Sequence, residues 1–295
     1  MTQHNYPKVA LVLEGGGMRN SYTAACITTL LENNVQFGWV GGISAGATLT
    51  ANYLSGDIAR NIGSMTELAT SPAAGGWSSF LRGKGYFNSD FMYHEAPVTT
   101  YEKFGPYNFE GFSNNPAEFR IGSVNAETGE MVYFGRDDVA SLDDLMIRVR
   151  ASSSLPGFMR PTIIDGQRYV DGAIGPGGGL AIDAAINDGY DKFLCIHTRP
   201  RDFRRSEVSR PGVLRQVFRK YPVIAEGLIN RPKHYNETRE QINALEKEGK
   251  ALQFFPDNMH IENRERNPEK INEAYRLGYE QSQRELPRWL EFLAD

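Results

Sequence analysis

Two short apolar segments near the start of the chain each run into a glycine-rich turn and then into a helical pattern. Residues 8–13 lead into the glycines at 15–17, and residues 37–41 lead into the sequence GISAG at 42–46. After each turn, apolar and small residues recur at helical spacing. Strand, helix, strand and helix in this order indicate parallel strands covered by helices. We therefore expect an α/β fold, a three-layer α/β/α sandwich around a mainly parallel central sheet.

The sequence at 42–46 has the form of a nucleophile elbow, Gly-x-Ser-x-Gly. In such a turn the serine adopts a strained backbone conformation between a strand and a helix, and side chains two residues away would collide. Gly42 and Gly46 remove these collisions and leave the Ser44 hydroxyl exposed. The dipole at the start of the following helix favours negative charge at the same place. The motif therefore predicts Ser44 as a nucleophile.

The glycine loop before the first predicted helix is suited to binding an anion. Without Cβ atoms, the N–H groups of Gly15, Gly16 and Gly17 can converge on one negative charge. A phosphate cradle would need Gly-Lys-Ser/Thr, which is missing here, so pairing with Ser44 favours an oxyanion hole. Arg19 adds positive charge for the oxyanion or for a substrate phosphate. The alternative for the loop is a plain tight turn.

A serine nucleophile needs a base, and Asp171 is the best candidate. It ends a predicted strand and is followed by Gly172, whereas Asp165 belongs to a predicted hairpin turn. An aspartate in water has a pKa of about 3.9, and partial burial would raise it. No histidine lies in a loop suited to presenting a base, and we expect all five to be structural or solvated. They are His4, His94, His197, His234 and His260.

Charge and composition limit the classes of partner and cofactor. The net charge of −4 argues against a nucleic-acid-binding protein. Cys26 and Cys195 lie in apolar runs, which is typical of buried, reduced thiols in a cytoplasmic protein. No run approaches the roughly 18 apolar residues that span a bilayer. No residues show metal-ligand spacing, and no cofactor is expected.

Basic residues are concentrated in one segment, 199–220. It carries eight of them: Arg199, Arg201, Arg204, Arg205, Arg210, Arg215, Arg219 and Lys220. We expect this segment either to contact an anionic membrane surface or to be a solvated face.

Four motifs in order resemble the patatin-like phospholipase family, whose fold is shared with the catalytic domains of cytosolic phospholipases A. They are the Gly-Gly-Gly-x-Arg loop at 15–19, the elbow at 42–46, Ala-Ser-x-x-x-Pro at 151–156 and Asp-Gly-Ala at 171–173. The resemblance covers about residues 8–200, and the remainder looks like a bacterial subgroup of the family. One departure is Asn20, which stands where the family commonly has a glycine.

The resemblance implies a Ser–Asp dyad. Ser44 would be the acyl nucleophile and Asp171 the base that later activates water. The loop glycines, with the N–H of Ala45, would form the oxyanion hole. We therefore expect a serine hydrolase that cleaves acyl esters of lipids or phospholipids through an acyl-serine intermediate. The alternatives are a non-catalytic lipid- or anion-binding module that keeps the fold, and a general carboxylesterase.

The expected organisation is a patatin-like catalytic domain at 8–200 and a mostly helical C-terminal extension at 201–295 packed on it. Within the extension, one strand is predicted at 252–255 and a last helix starting near residue 267. Residues 71–112 are rich in glycine, proline and aromatic side chains. This segment is predicted to be either a lid over the site or an irregular part of the core.

Overall fold

The computed structural model describes residues 4–76 and 86–295 of the chain. Its strands within these ranges form one eight-stranded sheet in the order β5-β6-β3-β2-β1-β7-β8, with β4 paired to β3. They are β1 (His4–Leu13), β2 (Val35–Ile43), β3 (Glu118–Asn125), β4 (Met131–Phe134), β5 (Thr162–Ile164), β6 (Gln167–Asp171), β7 (Lys192–Ile196) and β8 (Ala251–Phe254). The central strands β3, β2, β1, β7 and β8 pair in parallel, whereas β4, β5 and β6 are antiparallel to their partners. The mainly parallel sheet expected from the sequence is confirmed.

Helices of six or more residues lie on both faces of the sheet. They are α1 (Asn20–Glu32), α2 (Ala45–Ser55), α3 (Ile58–Gly63), α4 (Phe109–Asn114), α5 (Leu142–Ser153), α6 (Ile182–Asn187), α7 (Pro211–Val217), α8 (Pro222–Lys247) and α9 (Pro268–Ala294). The side chains of β1 alternate between the two faces, because successive residues of a strand point in opposite directions. Leu11 and Leu13 pack in one cluster with α1, α2, α5 and α9, and Val12 packs in another with α6 and α8. The three-layer α/β/α sandwich is therefore confirmed.

Short-range signals correctly located several elements. Ser141 caps α5 by accepting a hydrogen bond from the Asp144 N–H at 3.2 Å, as Ser and Asp three residues apart predict. Asp165 and Gly166 both have positive φ, 51° and 78°, and form the two-residue turn between β5 and β6. Asp165 is thereby assigned to a hairpin turn.

The C-terminal helical region shares the sheet and the core with the rest of the chain. Strand β8 extends the sheet by pairing in parallel with β7, and α9 packs along α1. At the crossing of these helices the Tyr22 hydroxyl donates to the Gln281 side chain, and the Ser282 hydroxyl contacts Cys26. Gly278 allows this close approach, because a Cβ atom there would lie 2.2 Å from the Tyr22 carbonyl oxygen.

No helix in the described ranges is long and apolar enough to cross a membrane.

Replacing Gly278 by alanine is expected to destabilise the protein by roughly 1–3 kcal/mol, because the added methyl group forces α9 away from α1. The matched control is Gly212→Ala in α7, where a Cβ atom meets nothing within 4 Å. That change should be neutral or slightly stabilising, since alanine favours helix. Urea unfolding of both variants measures the difference, and equal free energies of unfolding would contradict the tight crossing.

Candidate active site

Ser44 lies at a strained turn between β2 and α2. Its backbone has φ 59° and ψ −128°, a conformation that a residue with a side chain rarely adopts. A Cβ at Gly42 would lie 2.3 Å from the Gly46 carbonyl oxygen, and one at Gly46 would lie 2.4 Å from the Leu13 carbonyl oxygen. Only glycine fits at both positions, so the sequence motif forms the elbow that it predicts. The Ser44 side chain is partly exposed at the start of α2.

Strand β3 brings Asp171 to Ser44. The parallel pairing of β2 with β3 ends where Ile43 meets Gly122. One residue further along β3, Ser123 pairs with Asp171, the last residue of the antiparallel strand β6. The ends of β2 and β6 therefore meet at consecutive residues of one strand. As a result, the Asp171 carboxyl lies beside the Ser44 side chain, whose hydroxyl acts to lower the pKa of this carboxyl.

The Asp171 carboxyl is buried and held in a fixed orientation. It is 2% exposed, and its Oδ1 atom accepts the Ala173 N–H at 2.8 Å. Burial raises the pKa of Asp171 above its usual value. The positive charge of Arg231 and the hydrogen bonds from Ala173 and Ser44 oppose this rise. The group is therefore a stronger base than an aspartate in water, and it faces the serine.

Two of the three loop glycines have backbone N–H groups that are free to bind an anion. Within the described part of the chain, no hydrogen bond uses the N–H of Gly16, Gly17 or Ala45. The N–H of Gly15 donates to the Gly179 carbonyl at 3.0 Å. The prediction that Gly15 belongs to the oxyanion hole is therefore corrected, because its donor is already used. Gly16, Gly17 and Ala45 remain as candidate donors.

The glycine loop is held by contacts with Asn263, from the C-terminal region, and with Asn20, at the start of α1. The Asn263 carbonyl accepts the Met18 N–H at 3.1 Å, and Gly17 has φ 58° beside it. The Asn20 side chain donates to the Glu14 carbonyl at 2.9 Å and adopts an ordinary helical φ of −69°. The departure from glycine at residue 20 therefore leaves the loop intact and adds a hydrogen bond.

Glu14 is a buried residue of the site that the sequence reasoning missed. Its carboxylate accepts the Thr198 N–H at 3.0 Å, contacts His197 Nδ1 at 3.1 Å and accepts the Tyr235 hydroxyl at 3.1 Å. Burial acts to raise the pKa of Glu14, but the hydrogen bonds from His197 and Thr198 outweigh it and hold this pKa below its usual range. The signal was present: a glutamate directly after an apolar strand. Through these contacts, Glu14 links the glycine loop to the end of β7 and to α8.

None of the five histidines, all of which the structure describes, faces Ser44 as a base. His197 is fully buried between Glu14 and Gln253 and stacks on Phe255. His234 contacts the Gly175 carbonyl at 3.2 Å. His4 lies against Tyr6, and His94 and His260 are exposed.

Ser152 holds the elbow from α5. Its hydroxyl accepts the Ser44 N–H at 2.9 Å and donates to the Gly122 carbonyl at 2.6 Å. Gly122 is the β3 residue that pairs with the end of β2. The Ala-Ser-x-x-x-Pro motif at 151–156 thus contributes a clamp between the nucleophile turn and the strand behind it, a role that the motif alone did not reveal.

Ser44 and Asp171 open into one pocket with two unlike walls. One wall is apolar and consists of Met65, Phe87, Met92, Leu155, Phe158 and Met159. The other wall is basic and includes Arg19, Arg199, Arg205 and Arg231. A pocket with both an apolar and a basic wall suits a molecule with a hydrocarbon part and an anionic part.

The aromatic-rich segment 71–112 contributes both to the pocket and to the core. Phe87 and Tyr93 line the pocket, and Tyr107 and Phe112 are buried in the main cluster. Trp77 and Phe80, which belong to the predicted lid, lie in 77–85, outside the described residues. The described part is therefore a wall of the site anchored in the core.

The basic segment 199–220 is divided by the fold. Arg199 and Arg205 line the pocket, so they are not part of a simple solvated face. Arg201, Arg204 and Arg215 form ion pairs with Glu246, Glu240 and Glu226 at 2.5–2.7 Å. Arg210, Arg219 and Lys220 are exposed on or beside α7, near the exposed Val213 and Val217.

An α/β sandwich with a serine at a strained strand-to-helix turn defines a class of proteins that carry a nucleophile elbow. The family model described as patatin-like phospholipase matches residues 11–182, more than half of the chain, and the chain belongs to this family. Membership supports a lipid-hydrolase activity. The family predicted from the four motifs is thereby confirmed. A second model, described as a domain of unknown function (DUF6363), matches residues 221–294.

Two solved structures are similar to the chain. VipD from Legionella pneumophila matches with a TM-score of 0.46 and 11% identity, over 99% of this chain and 67% of that one. Human GIVD cytosolic phospholipase A2, in complex with methyl gamma-linolenyl fluorophosphonate, matches with a TM-score of 0.48 and 13% identity, over 98% of this chain and 58% of that one. Within residues 4–76 and 86–295, no group of three or more His, Cys, Asp or Glu side chains is arranged to hold a metal ion.

Replacing Ser152 by alanine is expected to slow fluorophosphonate labelling of Ser44 about tenfold and to cost roughly 1–3 kcal/mol of stability, because two buried backbone groups lose their partner. The control is Ser141→Ala, which removes the cap of the same helix at a cost of about 1 kcal/mol and lies outside the pocket. Labelling rates and urea unfolding of both variants are compared. Equal slowing in the two variants would show that Ser152 acts only through stability.

Proposed function

We propose that this protein is a serine hydrolase that cleaves acyl esters of lipids through an acyl-Ser44 intermediate, with Asp171 as the base. The observation that supports this most directly is that Ser44, partly exposed at a strained turn, shares one pocket with the buried Asp171 carboxyl beside it. A strained turn persists only where the surrounding structure holds it, and such turns concentrate at catalytic positions. Membership in the patatin-like phospholipase family supports the same reaction class.

In the acylation step, the Ser44 oxygen attacks the carbonyl carbon of the ester while Asp171 accepts the hydroxyl proton. The carbonyl oxygen becomes negatively charged, and the N–H groups of Gly16, Gly17 and Ala45 are the proposed donors that stabilise it. When the tetrahedral intermediate collapses, the bond to the alcohol oxygen breaks, and the proton on Asp171 passes to that oxygen. The alcohol leaves, and the acyl group stays on Ser44.

In the deacylation step, a water molecule attacks the acyl carbon and Asp171 accepts its proton. The bond to the Ser44 oxygen then breaks, and this proton returns to the serine. The carboxylic acid is released and the free enzyme is restored. Because one carboxyl serves both steps, no histidine is required.

The acyl chain is proposed to lie along the apolar wall of the pocket. A second, smaller and mostly apolar cavity adjoins the pocket and shares Thr48, Ser64, Ala69, Met92 and Tyr93 with it. The acyl chain is proposed to continue into this cavity, between α2 and α5.

The proposed setting is the cytoplasm, with peripheral contact to an anionic membrane. Cys26 and Cys195 are both free and buried, as expected for reduced thiols. The residues proposed to contact the membrane are Arg210, Arg219 and Lys220, which are exposed and form no ion pair within the described part of the chain. Exposed Val213 and Val217 on α7 would enter the lipid surface beside them.

Replacing Ser44 by alanine is expected to lower hydrolysis of a chromogenic acyl ester by at least about 10³-fold and to abolish fluorophosphonate labelling, since the nucleophile is lost. Mass spectrometry of lipid extracts incubated with each protein identifies the cleaved ester. Ser141→Ala, which changes a serine outside the pocket, should be labelled normally. Retained labelling of Ser44→Ala would contradict the proposal, and cleavage of soluble esters only would favour a general carboxylesterase.

The acid limb of the kcat/KM profile is expected to have its midpoint above pH 3.8, because burial raises the pKa of Asp171 and the base must be ionised. Asp171→Asn should abolish most activity and remove this limb. Its stability at pH 7 should equal or exceed that of the wild type. The reason is that the folded protein binds the Asp171 proton more tightly than the unfolded chain, so ionisation above pH 3.8 costs stability that asparagine avoids.

Measured kcat/KM between pH 3 and 8, with urea unfolding of both proteins at pH 7, tests this expectation. An active Asp171→Asn variant that keeps the acid limb would assign the base to another group.

A further inference from the structure

Five arginines line the pocket. Arg264 has its guanidinium 5.0 Å from the centre of the Phe158 ring, and the other four form the basic wall and come from three separate segments of the chain. Arg19 follows the glycine loop, Arg199 and Arg205 follow β7, and Arg231 belongs to α8. The only carboxylate among the residues that line the pocket is Asp171. Three of these arginines lie beyond the glycine-loop motif, and Arg231 lies in the region that matches a domain of unknown function.

These guanidinium groups lack a close carboxylate partner within the described residues. No side-chain hydrogen bond or ion pair is formed there by Arg19, Arg205 or Arg231, and Arg199 approaches Glu262 only to 4.0 Å. Arg19 is 3% exposed, and the Nε atoms of all four are buried without an acceptor. Buried charges of this kind are costly unless something pairs with them.

Other arginines of the basic segment 199–220 form ion pairs with carboxylates outside the pocket. Arg201, Arg204 and Arg215 point away from the pocket, and each forms an ion pair with a glutamate at 2.5–2.7 Å. Two arginines of the basic wall stack on aromatic rings instead. The Arg199 guanidinium lies 4.5 Å from the Phe203 ring centre, and that of Arg205 lies 4.5 Å from the Tyr235 ring centre. Such stacking fixes a guanidinium and leaves its N–H groups available.

The pocket arginines are close enough to repel each other. Burial and the charge of Arg199 lower the pKa of Arg19 to about 10, and burial and the charge of Arg231 lower the pKa of Arg205 to about 10. Both groups stay charged at neutral pH. The charge of the buried Glu14 acts on Arg19 and Arg205, but the Glu14 oxygens already accept from Thr198 and Tyr235. A bound anion would relieve this repulsion.

The surplus of positive charge matches a dianion better than a zwitterion. A phosphate monoester carries about −1.5 to −2 charges at pH 7 and three acceptor oxygens, which suit several guanidinium groups at once. A phosphocholine diester carries one negative charge and brings a quaternary ammonium beside the arginines. We propose that Arg19, Arg199, Arg205 and Arg231 bind a phosphate monoester, so that the protein prefers acyl esters whose alcohol part carries this group. This proposal rests on the lipid-hydrolase function proposed above.

The first test compares kcat/KM for oleoyl lysophosphatidate, oleoyl lysophosphatidylcholine and monoolein, which share one acyl chain. The wild type is expected to prefer lysophosphatidate over lysophosphatidylcholine by about tenfold or more, since a charged hydrogen bond contributes about 1.5–3 kcal/mol. Arg205→Gln and Arg231→Gln should each lower this ratio about tenfold. The ratio is compared because Arg231 also affects Asp171 and therefore the turnover of every ester.

The matched control is Arg204→Gln, one residue from Arg205 and paired with Glu240 outside the pocket. It should leave the lysophosphatidate to lysophosphatidylcholine ratio unchanged. No preference in the wild type would overturn the proposal, as would an equal fall of the ratio in Arg204→Gln and Arg231→Gln. In either case hydrolysis of monoolein by the wild type and not by Ser44→Ala would leave the proposed function standing.

A second measurement needs no turnover. Dihexanoyl phosphatidate is expected to raise the Tm of Ser44→Ala more than dihexanoyl phosphatidylcholine does, and Arg231→Gln in the same background should remove the difference. This result supports the arginine site even if no ester is hydrolysed. If inorganic phosphate alone raises the Tm equally and the two lipids do not differ, the arginines bind free phosphate and the substrate proposal is wrong.

Discussion

The pairing of two strands with consecutive residues of β3 is the constraint on which the site depends. The parallel strand β2 ends against Gly122, and the antiparallel strand β6 ends against Ser123. The end of a parallel strand and the end of an antiparallel strand thus lie at consecutive residues of β3, which places Ser44 beside Asp171. Ser152 closes the arrangement by bonding to both Gly122 and the Ser44 backbone. A one-residue slip of β6 would turn Asp171 to the other face of the sheet.

Several features of the site work against stability and are held by their surroundings. Ser44 has a strained backbone, the Asp171 carboxyl is buried, and five arginines share a pocket with one carboxylate. Strain and buried charge persist only where packing and hydrogen bonds over-determine the local structure. Here the support consists of the two apolar clusters on either side of the sheet and the Glu14 network.

The C-terminal region is part of the same structural unit as the site. Strand β8 continues the sheet, and α9 covers α1. The Asn263 carbonyl binds the glycine loop, and Arg231 of α8 enters the pocket. The sequence indicates a boundary near residue 200, where the resemblance to the family ends. The chemistry of the pocket nevertheless draws on residues from both sides of that position.

Local sequence rules were sufficient for the elements and for the elbow. The glycines at 42 and 46 and the Asp165-Gly166 turn are set by contacts between near neighbours, so motif and spacing located them. Asp171 was predicted as the base from a local signal too, the end of a strand before Gly172.

Only the tertiary structure decided which distant groups meet. That Gly15 uses its N–H on Gly179, that Glu14 is buried against His197, and that Ser152 clamps the elbow all follow from sheet order and helix packing. The basic segment shows the same division most clearly. The sequence gives its charge, but in the structure three of its arginines form ion pairs with glutamates on α8, and two others line the pocket. Those partners lie many residues away, and no local pattern encodes them.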